Sequence, residues 1–236
     1  MAEFRLGVLG GMGPQATNTF FQFVLDRTEA ETDQDHINTL ILSDTDIPDR
    51  TAAILGTDEQ RRAIVAQLTK SAKLLERAGC TVLAVPCNTS HYFLDRVQKE
   101  LHIPIIHMIR ETAAELKRRG FKRVGVLGTD GTVRSGIYQK ELSALGLETV
   151  VPSPQAQKQV MSLIYDDIKA GHLGDPAKFR ALHKDLIAQG CDCGVLACTE
   201  LSVFSRQYRM PQDFYVDAMD ILATRAVEAC GKKVKK

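Results

Sequence analysis

Short apolar runs alternate with longer amphipathic segments along almost the whole chain. The runs are RLGVLG (5–10), NTLILS (38–43), TVLAVP (81–86), PIIHMI (104–109), RVGVLG (123–128), ETVVP (148–152) and CGVLAC (193–198). Runs of this length that are rich in β-branched residues are typical of parallel strands that are buried on both faces. Their alternation with helix-length segments predicts an α/β fold with right-handed crossovers.

The segment 60–78 is the clearest of the intervening helices, because apolar side chains recur in it at helical spacing, at Ile64, Leu68, Ala72 and Leu75. Thr57 stands three residues before Gln60, which is the spacing of a capping box. Gly79 is placed to end the helix. We therefore expect a crossover helix here with both of its ends specified locally.

Two segments of the chain repeat each other, AGCTVLAVPCNTSH (78–91) and QGCDCGVLACTELS (189–202). Cys80 and Cys191 are 111 positions apart, and so are Cys87 and Cys198. RLGVLGG (5–11) also resembles RVGVLGT (123–129). A duplicated unit predicts two similar α/β lobes with parallel sheets, related by a pseudo-twofold axis, with the active site in the cleft between them. We expect residues 1–109 and 210–236 to form the N-terminal lobe and residues 110–209 the C-terminal lobe.

Composition narrows the function classes. The chain of 236 residues carries 30 Lys and Arg against 29 Asp and Glu, a balance that argues against binding to nucleic acid or to a membrane surface. It has no apolar run of membrane-spanning length and no signal-peptide pattern at its start, so we expect a cytoplasmic protein. Six cysteines are too few for a disulfide scaffold in a chain of this length, which leaves catalysis or metal binding as special roles for them.

Cys87 and Cys198 both follow predicted strands, and each is followed by residues that start helices. Ligands of open α/β sheets bind at such strand ends, and a helix N-terminus favours a thiolate. One thiolate can remove a proton from a carbon while the other thiol returns a proton on the opposite face, which inverts that carbon. If that carbon is next to a carboxylate, loss of its proton produces a negatively charged enediolate. Backbone N–H groups at Asn88, Thr89 and Thr199 are placed to stabilise this charge. The alternative is that both cysteines are small buried hydrophobic residues.

The sequence resembles the cofactor-independent aspartate/glutamate racemase family, and within it most closely the aspartate racemases. The matching motifs are GVLGGMGPQAT (7–17), IPDRT (47–51), PCNTSH (86–91), GTDGTVRSGIY (128–138), DIKAG (167–171) and ACTELS (197–202). The resemblance implies a racemase that needs no pyridoxal phosphate and no metal, with catalytic cysteines at Cys87 and Cys198. It also implies a homodimer and a small acidic amino acid as substrate, aspartate first and glutamate second.

The same resemblance implies that Arg50 and Lys169 bind substrate carboxylates, and that Met12 and the turn formed by Asn88, Thr89 and Ser90 line the pocket. From the residues alone, Arg50 could instead be a loop arginine paired to Asp49 or Asp46. Lys169 could instead complement the C-terminus of a helix.

Three further positions near these motifs have two interpretations each. Thr129 and Thr132 occupy the loop that is equivalent, in the second half, to residues 11–14, so they either contact a ligand or cap a helix. His91 either tunes the Cys87 thiol or is a helical histidine with its hydrogen bonds satisfied.

Several alternatives remain open. Residues 11–16 match G-x-G-x-x-A, a dinucleotide-binding pattern, although Pro14 removes one N–H donor. A metal site would draw its ligands from Cys87, Cys191, Cys193 and Cys198, but their spacing is not that of a zinc ribbon. A binding module with two lobes and no catalysis would make both cleft cysteines incidental. A racemase of broad specificity, or a related isomerase, would use the same scaffold.

Overall fold

The computed structural model describes residues 5–208, 210–211 and 213–235. The strands are β1 (Leu6–Gly10), β2 (Thr39–Ser43), β3 (Val82–Ala84), β4 (Ile105–Ile106), β5 (Arg123–Leu127), β6 (Glu148–Val150), β7 (Cys193–Leu196) and β8 (Tyr215–Asp217). The helices are α1 (Pro14–Arg27), α2 (Arg50–Leu55), α3 (Asp58–Arg77), α4 (His91–Gln98), α5 (Met108–Arg118), α6 (Asp130–Arg134), α7 (Ile137–Ala144), α8 (Pro154–Ser162), α9 (Pro176–Ala188), α10 (Thr199–Gln207) and α11 (Ala218–Ala229). A π-helical turn (Leu163–Ile168) continues α8, and 3-10 turns lie at Asp33–Asp35 and Asn88–Ser90.

The strands form two four-stranded sheets with the orders β2-β1-β3-β4 and β6-β5-β7-β8. All pairings within both sheets are parallel. The two halves of the chain therefore have the same strand order, as the repeat predicts. The predicted fold class, an α/β protein with two lobes and parallel sheets, is confirmed.

Local sequence signals account for α3. Thr57 Oγ1 accepts a hydrogen bond from Gln60 N, and the Gln60 side chain accepts one from Thr57 N, which completes the capping box. Gly79 has a φ of 94°, the left-handed region that favours glycine, directly after the helix. The face formed by Ile64, Leu68, Ala72 and Leu75 is buried, so the predicted helix is confirmed.

Two helices connect the lobes. Helix α11, which follows the last strand of the second sheet, packs on α1 of the first lobe and on α5. Helix α5, which follows the last strand of the first sheet, also packs on α7 of the second lobe. The larger apolar core consequently runs through both lobes, from Leu6 and Phe20 to Val195 and Leu222.

The sheet pairing corrects one part of the predicted lobe boundaries. Strand β8 lies within the segment 210–236, which we expected in the N-terminal lobe, yet it is hydrogen-bonded to β7 of the second sheet. Its sequence has only three consecutive apolar residues, 214–216, between Asp213 and Asp217, so it was not among the predicted strands. The rest of the boundaries stays a prediction, and residues 1–4, 209, 212 and 236 lie outside the described residues. Within the described ranges, no helix is long and apolar enough to cross a bilayer.

Candidate active site

In each sheet the strand order reverses between two neighbouring strands, and these two strands are equivalent in the two lobes. In the first sheet β1 and β3 lie side by side, and in the second sheet β5 and β7 do. The loop with Met12 follows β1 and Cys87 follows β3, while Thr129 follows β5 and Cys198 follows β7. Such switch points leave a crevice beyond the strand ends, and this crevice is where open α/β sheets bind ligands.

These strand ends enclose one cavity of about 20 Å³ between the lobes. It is lined by Met12, Asp49, Arg50, Thr51, Cys87, Asn88, Thr89, Thr129, Tyr165, Lys169, Cys198, Thr199 and Glu200. The structure thus brings both predicted catalytic cysteines, and most of the predicted binding residues, into one place.

Two predicted binding residues lie behind this lining. Ser90 is fully buried, and its hydroxyl donates to Met12 Sδ at 3.1 Å. Thr132 is also buried, and its hydroxyl lies 3.1 Å from Thr89 Oγ1 and 3.3 Å from Thr129 Oγ1. Both side chains therefore support residues of the cavity wall and are not part of the lining themselves, and direct contact with a substrate stays a prediction for them.

Arg50 lies next to Cys87 at the start of α2. Its Nη1 donates to the carbonyl oxygens of Ile47 and Pro48, and its Nη2 donates to that of Met12 at 3.2 Å. A guanidinium has five N–H donors, so Nε and one Nη2 hydrogen are not used by these carbonyls and lie on the side of Cys87, and no acceptor within hydrogen-bond distance of Nε is found in the described part of the chain. These two donors form the edge of the guanidinium that binds a carboxylate bidentately.

The charges around Arg50 keep it a cation. Burial alone would lower the pKa of Arg50, but Cys87 and Asp49 raise it, and the net shift is upward. Asp49 accepts a hydrogen bond from Ala52 N and caps α2, and the Arg50 donors go to backbone carbonyls. The alternative interpretation of Arg50 as a loop arginine paired to Asp49 or Asp46 is therefore corrected.

Cys198 has different neighbours. Its thiol donates to Glu200 Oε2 at 2.8 Å, and Glu200 Oε1 forms a salt bridge of 2.6 Å with Lys169 Nζ. Burial and the Glu200 carboxylate raise the pKa of Cys198 well above its ordinary value, and Lys169 only partly offsets them. The expectation that the start of a helix favours the thiolate is therefore wrong for Cys198, because burial and a neighbouring anion outweigh the helix terminus.

Lys169 follows the π-helical turn at the end of α8. Burial lowers its pKa, but Glu200 and then Cys198 raise it by more, so Lys169 is a firmly protonated cation. Its partner is the carboxylate of α10, whereas the alternative interpretation gave it the carbonyl end of its own helix. Cys198, Glu200 and Lys169 are thus linked by a hydrogen bond and a salt bridge along one wall of the cavity.

Threonine hydroxyls connect the lobes beside the cavity. Thr51 Oγ1 donates to Thr129 Oγ1 at 3.2 Å, and Thr89 Oγ1 lies 3.3 Å from the same atom. Thr129 also caps α6 by accepting from Thr132 N. The two interpretations of Thr129 are therefore compatible, since the residue caps a helix and lines the cavity.

Asn88 and His91 fix the backbone next to Cys87. Tyr138 donates to Asn88 Oδ1, which leaves Asn88 Nδ2 buried and, among the residues that the structure describes, without a hydrogen-bond partner. His91 Nδ1 lies 2.9 Å from Cys87 O, and Met108 N donates to His91 Nε2 at 3.0 Å. Burial lowers the pKa of His91 to about 3, so His91 is the neutral, satisfied histidine of the second interpretation.

Tyr165 of the second lobe contacts two residues of the first lobe, and all three line the cavity. The Tyr165 hydroxyl lies 3.4 Å from Asp49 Oδ2 and 3.4 Å from Thr51 Oγ1. The space among these side chains has room for about one water molecule. It is smaller than an amino acid, so the lining residues have to rearrange when a substrate binds.

Sequence reasoning missed four residues of the lining, Asp49, Thr51, Tyr165 and Glu200. The sequence pattern indicates only that Glu200 starts a helix, although it stands two positions after Cys198. Tyr165 precedes Lys169 by four residues, and this spacing puts two residues on one helix face, so that signal was available.

The glycine loop after β1 serves packing inside the protein. Gly11 has a φ of 89°, and a Cβ there would lie 2.4 Å from the Asp44 backbone. Gly11 N donates to Thr17 Oγ1, so this N–H is already used. These contacts explain Gly11 without a dinucleotide.

The other candidate sites differ from this cavity. In the described ranges there is no group of three or more His, Cys, Asp or Glu side chains that could hold a metal ion. A larger cavity, of about 570 Å³, lies among α1, α10 and α11, and no cysteine lines it. Two of the arginines that line it, Arg27 and Arg206, are paired to Asp220 and Asp26.

The chain is similar to known proteins over most of its length. Residues 9–226 match the family model described as Asp/Glu/Hydantoin racemase. The chain is 33% identical over 202 residues to the broad specificity amino-acid racemase RacX of Bacillus subtilis (strain 168), covering 84% of this chain and 86% of that protein. The structure of the Picrophilus torridus aspartate racemase superposes with a TM-score of 0.81 at 32% identity, covering 98% of this chain and 96% of that one. An aspartate racemase homologue from Pyrococcus horikoshii OT3 superposes with a TM-score of 0.78 at 25% identity, covering 98% and 100%.

Proposed function

The chain belongs to the Asp/Glu/hydantoin racemase family, and on that premise we propose that it racemises an acidic amino acid, aspartate first and glutamate second. The enzyme class is an isomerase acting on amino acids. The observation that carries the proposal is the position of two thiols, Cys87 and Cys198, which come from different lobes and line one cavity. Two acid/base groups on one small cavity are what inversion of a single carbon requires.

In the proposed reaction, one cysteine as thiolate takes the proton from Cα of the substrate. The other cysteine as thiol gives a proton to the opposite face of the same carbon. Between these transfers the negative charge spreads into the α-carboxylate, so the site has to stabilise an enediolate. The first N–H groups of a helix have no intrahelical partner, which leaves those at Asn88, Thr89 and Thr199 available for this charge.

Arg50 is the group that best fits a substrate carboxylate. Three of its N–H groups are anchored on backbone carbonyls, so the side chain is held in place while Nε and one Nη2 hydrogen remain available. Asn88 Nδ2 offers a second donor next to Cys87. Held donors of this kind lose little entropy when a ligand binds, which favours affinity.

One observation favours a second candidate, a racemase of broad specificity. Lys169 is already paired with the Glu200 carboxylate at 2.6 Å, whereas no salt bridge engages Arg50 within the described part of the chain, so Arg50 is the more available of the two cations in the lining. One carboxylate, the one that every amino acid carries, would satisfy Arg50 alone. A second carboxylate would have to share Lys169 with Glu200.

The test uses the purified protein in heavy water with no added cofactor. L-Aspartate, L-glutamate, L-alanine and L-lysine are incubated separately, and optical rotation and α-deuterium are followed. Loss of rotation with α-deuteration for the two acidic substrates only supports the first proposal. The same result for all four supports broad specificity, and no change for any of them contradicts a racemase. A hydantoin, tested in parallel, covers the related isomerases.

Two expectations about the whole protein stay proposals. We propose a cytoplasmic location, which the six free cysteines support, since such thiols persist in a reducing compartment. We also propose a homodimer, to be checked by light scattering after gel filtration. The expected partner is the small acidic amino acid, with no nucleic acid and no membrane.

A further inference from the structure

Glu200 joins the Cys198 thiol to the Lys169 ammonium in the wall of the cavity. Its side chain is 6% exposed, its Oε2 accepts from Cys198 Sγ at 2.8 Å, and its Oε1 pairs with Lys169 Nζ at 2.6 Å. Thr199 Oγ1 donates to Oε2 at 3.3 Å. A buried carboxylate with all of these partners has a fixed orientation, and that orientation directs an acceptor at the thiol.

The other half of the site lacks this arrangement. The repeat offset of 111 positions pairs Glu200 with Thr89, so a neutral hydroxyl stands where the second half has an anion. The charged group next to Cys87 is instead the Arg50 cation. The two thiols therefore occupy equivalent places in the fold but have neighbours of opposite charge.

We propose that Glu200 is a positioning residue that keeps the proton on Cys198 in the free enzyme and thereby makes Cys87 the base. This inference rests on the proposed racemisation, because Cys87 is a base only if the protein catalyses that reaction. The protonation states of the two cysteines are measured in the free protein, so that measurement does not depend on activity. Glu200 acts through Cys198 and need not touch the substrate.

The proton balance of the reaction follows from this assignment. The Cα–H bond breaks and its proton goes to the Cys87 thiolate, while the Cys198 S–H bond breaks and its proton goes to the opposite face of Cα. The enzyme is left with a Cys87 thiol and with a Cys198 thiolate beside the Glu200 carboxylate. It returns to its first form by catalysing the reverse reaction, or by exchange in which water gives a proton to Cys198 and takes one from Cys87.

The electrostatic surroundings of Cys198 agree with this assignment. Burial raises the pKa of Cys198, Glu200 raises it further, and Lys169 lowers it in part. Two tyrosines from other elements, Tyr138 on α7 and Tyr165 on the π-helical turn, also face this thiol. The remaining charged or titratable groups of the cavity are Cys87, Arg50 and Asp49 on the side of the first lobe.

The test follows the ¹³Cβ chemical shift of each cysteine in the free protein as the pH is raised, after labelling with [3-¹³C]cysteine. Signals are assigned with Cys87→Ser and Cys198→Ser. In the wild type we expect the midpoint of Cys198 to lie above that of an ordinary thiol. In Glu200→Gln we expect the midpoint of Cys198 to fall by at least about one pH unit, a tenfold change in proton affinity, because Lys169 is then unopposed. The Cys87 midpoint should move much less.

A second variant should shift the Cys198 midpoint in the opposite direction. Lys169→Met removes the cation and should raise the midpoint of Cys198, which a general loosening of the site would not do. Glu115→Gln is the matched control, since Glu115 is also buried and paired, with Arg118 and Arg119, and does not line the cavity. It should leave both midpoints unchanged.

An unchanged or raised Cys198 midpoint in folded Glu200→Gln overturns the proposal, as does an equal shift at Cys87. If Glu200→Gln does not fold, the upward shift in Lys169→Met decides, and its absence overturns the proposal. A protein that passes these titrations but racemises nothing in heavy water contradicts the proposed function alone. If the protein racemises an amino acid but its Cys198 midpoint does not fall in Glu200→Gln, only this inference is contradicted.

Discussion

Tyr138 of the second lobe donates a hydrogen bond of 2.6 Å to Asn88 Oδ1 of the first lobe. Tyr138 is fully buried, and burial raises its pKa, so the phenol keeps its proton and acts as a donor. This bond fixes which end of the Asn88 amide points at the cavity. The Nδ2 end of the Asn88 amide therefore stays available as a hydrogen-bond donor, in the residue directly after Cys87.

Tyr138→Phe should therefore weaken substrate binding although Tyr138 does not line the cavity. Without the hydroxyl, Asn88 Oδ1 is left buried and unpaired, at a cost of about 1–3 kcal/mol, and the amide is free to turn. We expect a lower free energy of unfolding, measured in urea, and a KM raised several-fold. Tyr92→Phe, on α4 and outside the cavity lining, is the control and should change KM little. An unchanged KM in Tyr138→Phe would show that the orientation of Asn88 is unimportant.

Replacing either cavity cysteine should abolish most of the racemisation. General acid or base catalysis by a positioned group contributes about 10²- to 10⁴-fold, so we expect Cys87→Ser and Cys198→Ser each to lose a factor in this range. A single variant should still exchange the α-proton of one enantiomer with heavy water. Cys80→Ser, a buried thiol away from the cavity, should keep its activity. Full racemisation by either cavity variant would eliminate the mechanism with two thiols.

Arg50→Lys keeps the charge but loses the bidentate edge. Hydrogen bonds to charged groups are worth about 1.5–3 kcal/mol, so we expect KM for aspartate to rise by about 10- to 100-fold. The control is Arg61→Lys, because Arg61 likewise donates to the carbonyls of Ile54 and Gly56 but does not line the cavity. Thermal unfolding of both variants separates lost loop contacts from lost binding. Equal KM values for wild type and Arg50→Lys would remove Arg50 from substrate recognition.

His91 should make stability depend on pH. Its pKa is lowered from 6.5 to about 3 in the folded state, so the unfolded chain binds the proton first as the pH falls. Stability is therefore complete above about pH 6.5 and decreases toward about pH 3, by about 1.4 kcal/mol per pH unit for one histidine. His107, whose pKa burial lowers to about 4, adds to this slope.

The measurement is urea unfolding of the wild type and of His91→Gln between pH 7 and pH 5. We expect His91→Gln to be less stable at pH 7, because it loses the bonds to Cys87 O and Met108 N. Its stability should nevertheless depend less steeply on pH. Parallel pH slopes in the two proteins would contradict a neutral buried His91.

Gly11→Ala should destabilise the fold through two effects. A left-handed φ costs a residue with a side chain about 1–2 kcal/mol, and the new Cβ would also meet the Asp44 backbone at 2.4 Å. Gly120→Ala is the matched control, since Gly120 has a φ of 83° and nothing lies within 4 Å of the added Cβ. We expect a larger loss of stability, by thermal unfolding, for Gly11→Ala. Equal losses would mean that the loop can shift away from Asp44.

The sequence predicted those parts of the protein that depend on local or repeated signals. Apolar runs located seven of the eight strands, a capping box located α3, and the repeat led to Cys87 and Cys198. Strand β8 was missed because its apolar run of three residues lies between two aspartates and is too short to stand out, so only its pairing with β7 identifies it.

The electrostatics of the site depend on contacts between distant residues. Glu200 and Lys169 are 31 positions apart, and Tyr165 is more than a hundred positions from Asp49 and Thr51. Spacing in the sequence gives no sign of such contacts. Even Glu200, only two residues after Cys198, has its effect because burial turns its carboxylate toward the thiol instead of toward water.

The small size of the cavity also affects how ligands of this protein are sought. Because the space among its lining residues holds about one water, fitting candidate inhibitors into it without moving any side chain would reject every dicarboxylate for lack of room. Inhibitor design should therefore let the side chains of the lining move, or start from crystals grown with the compound already present.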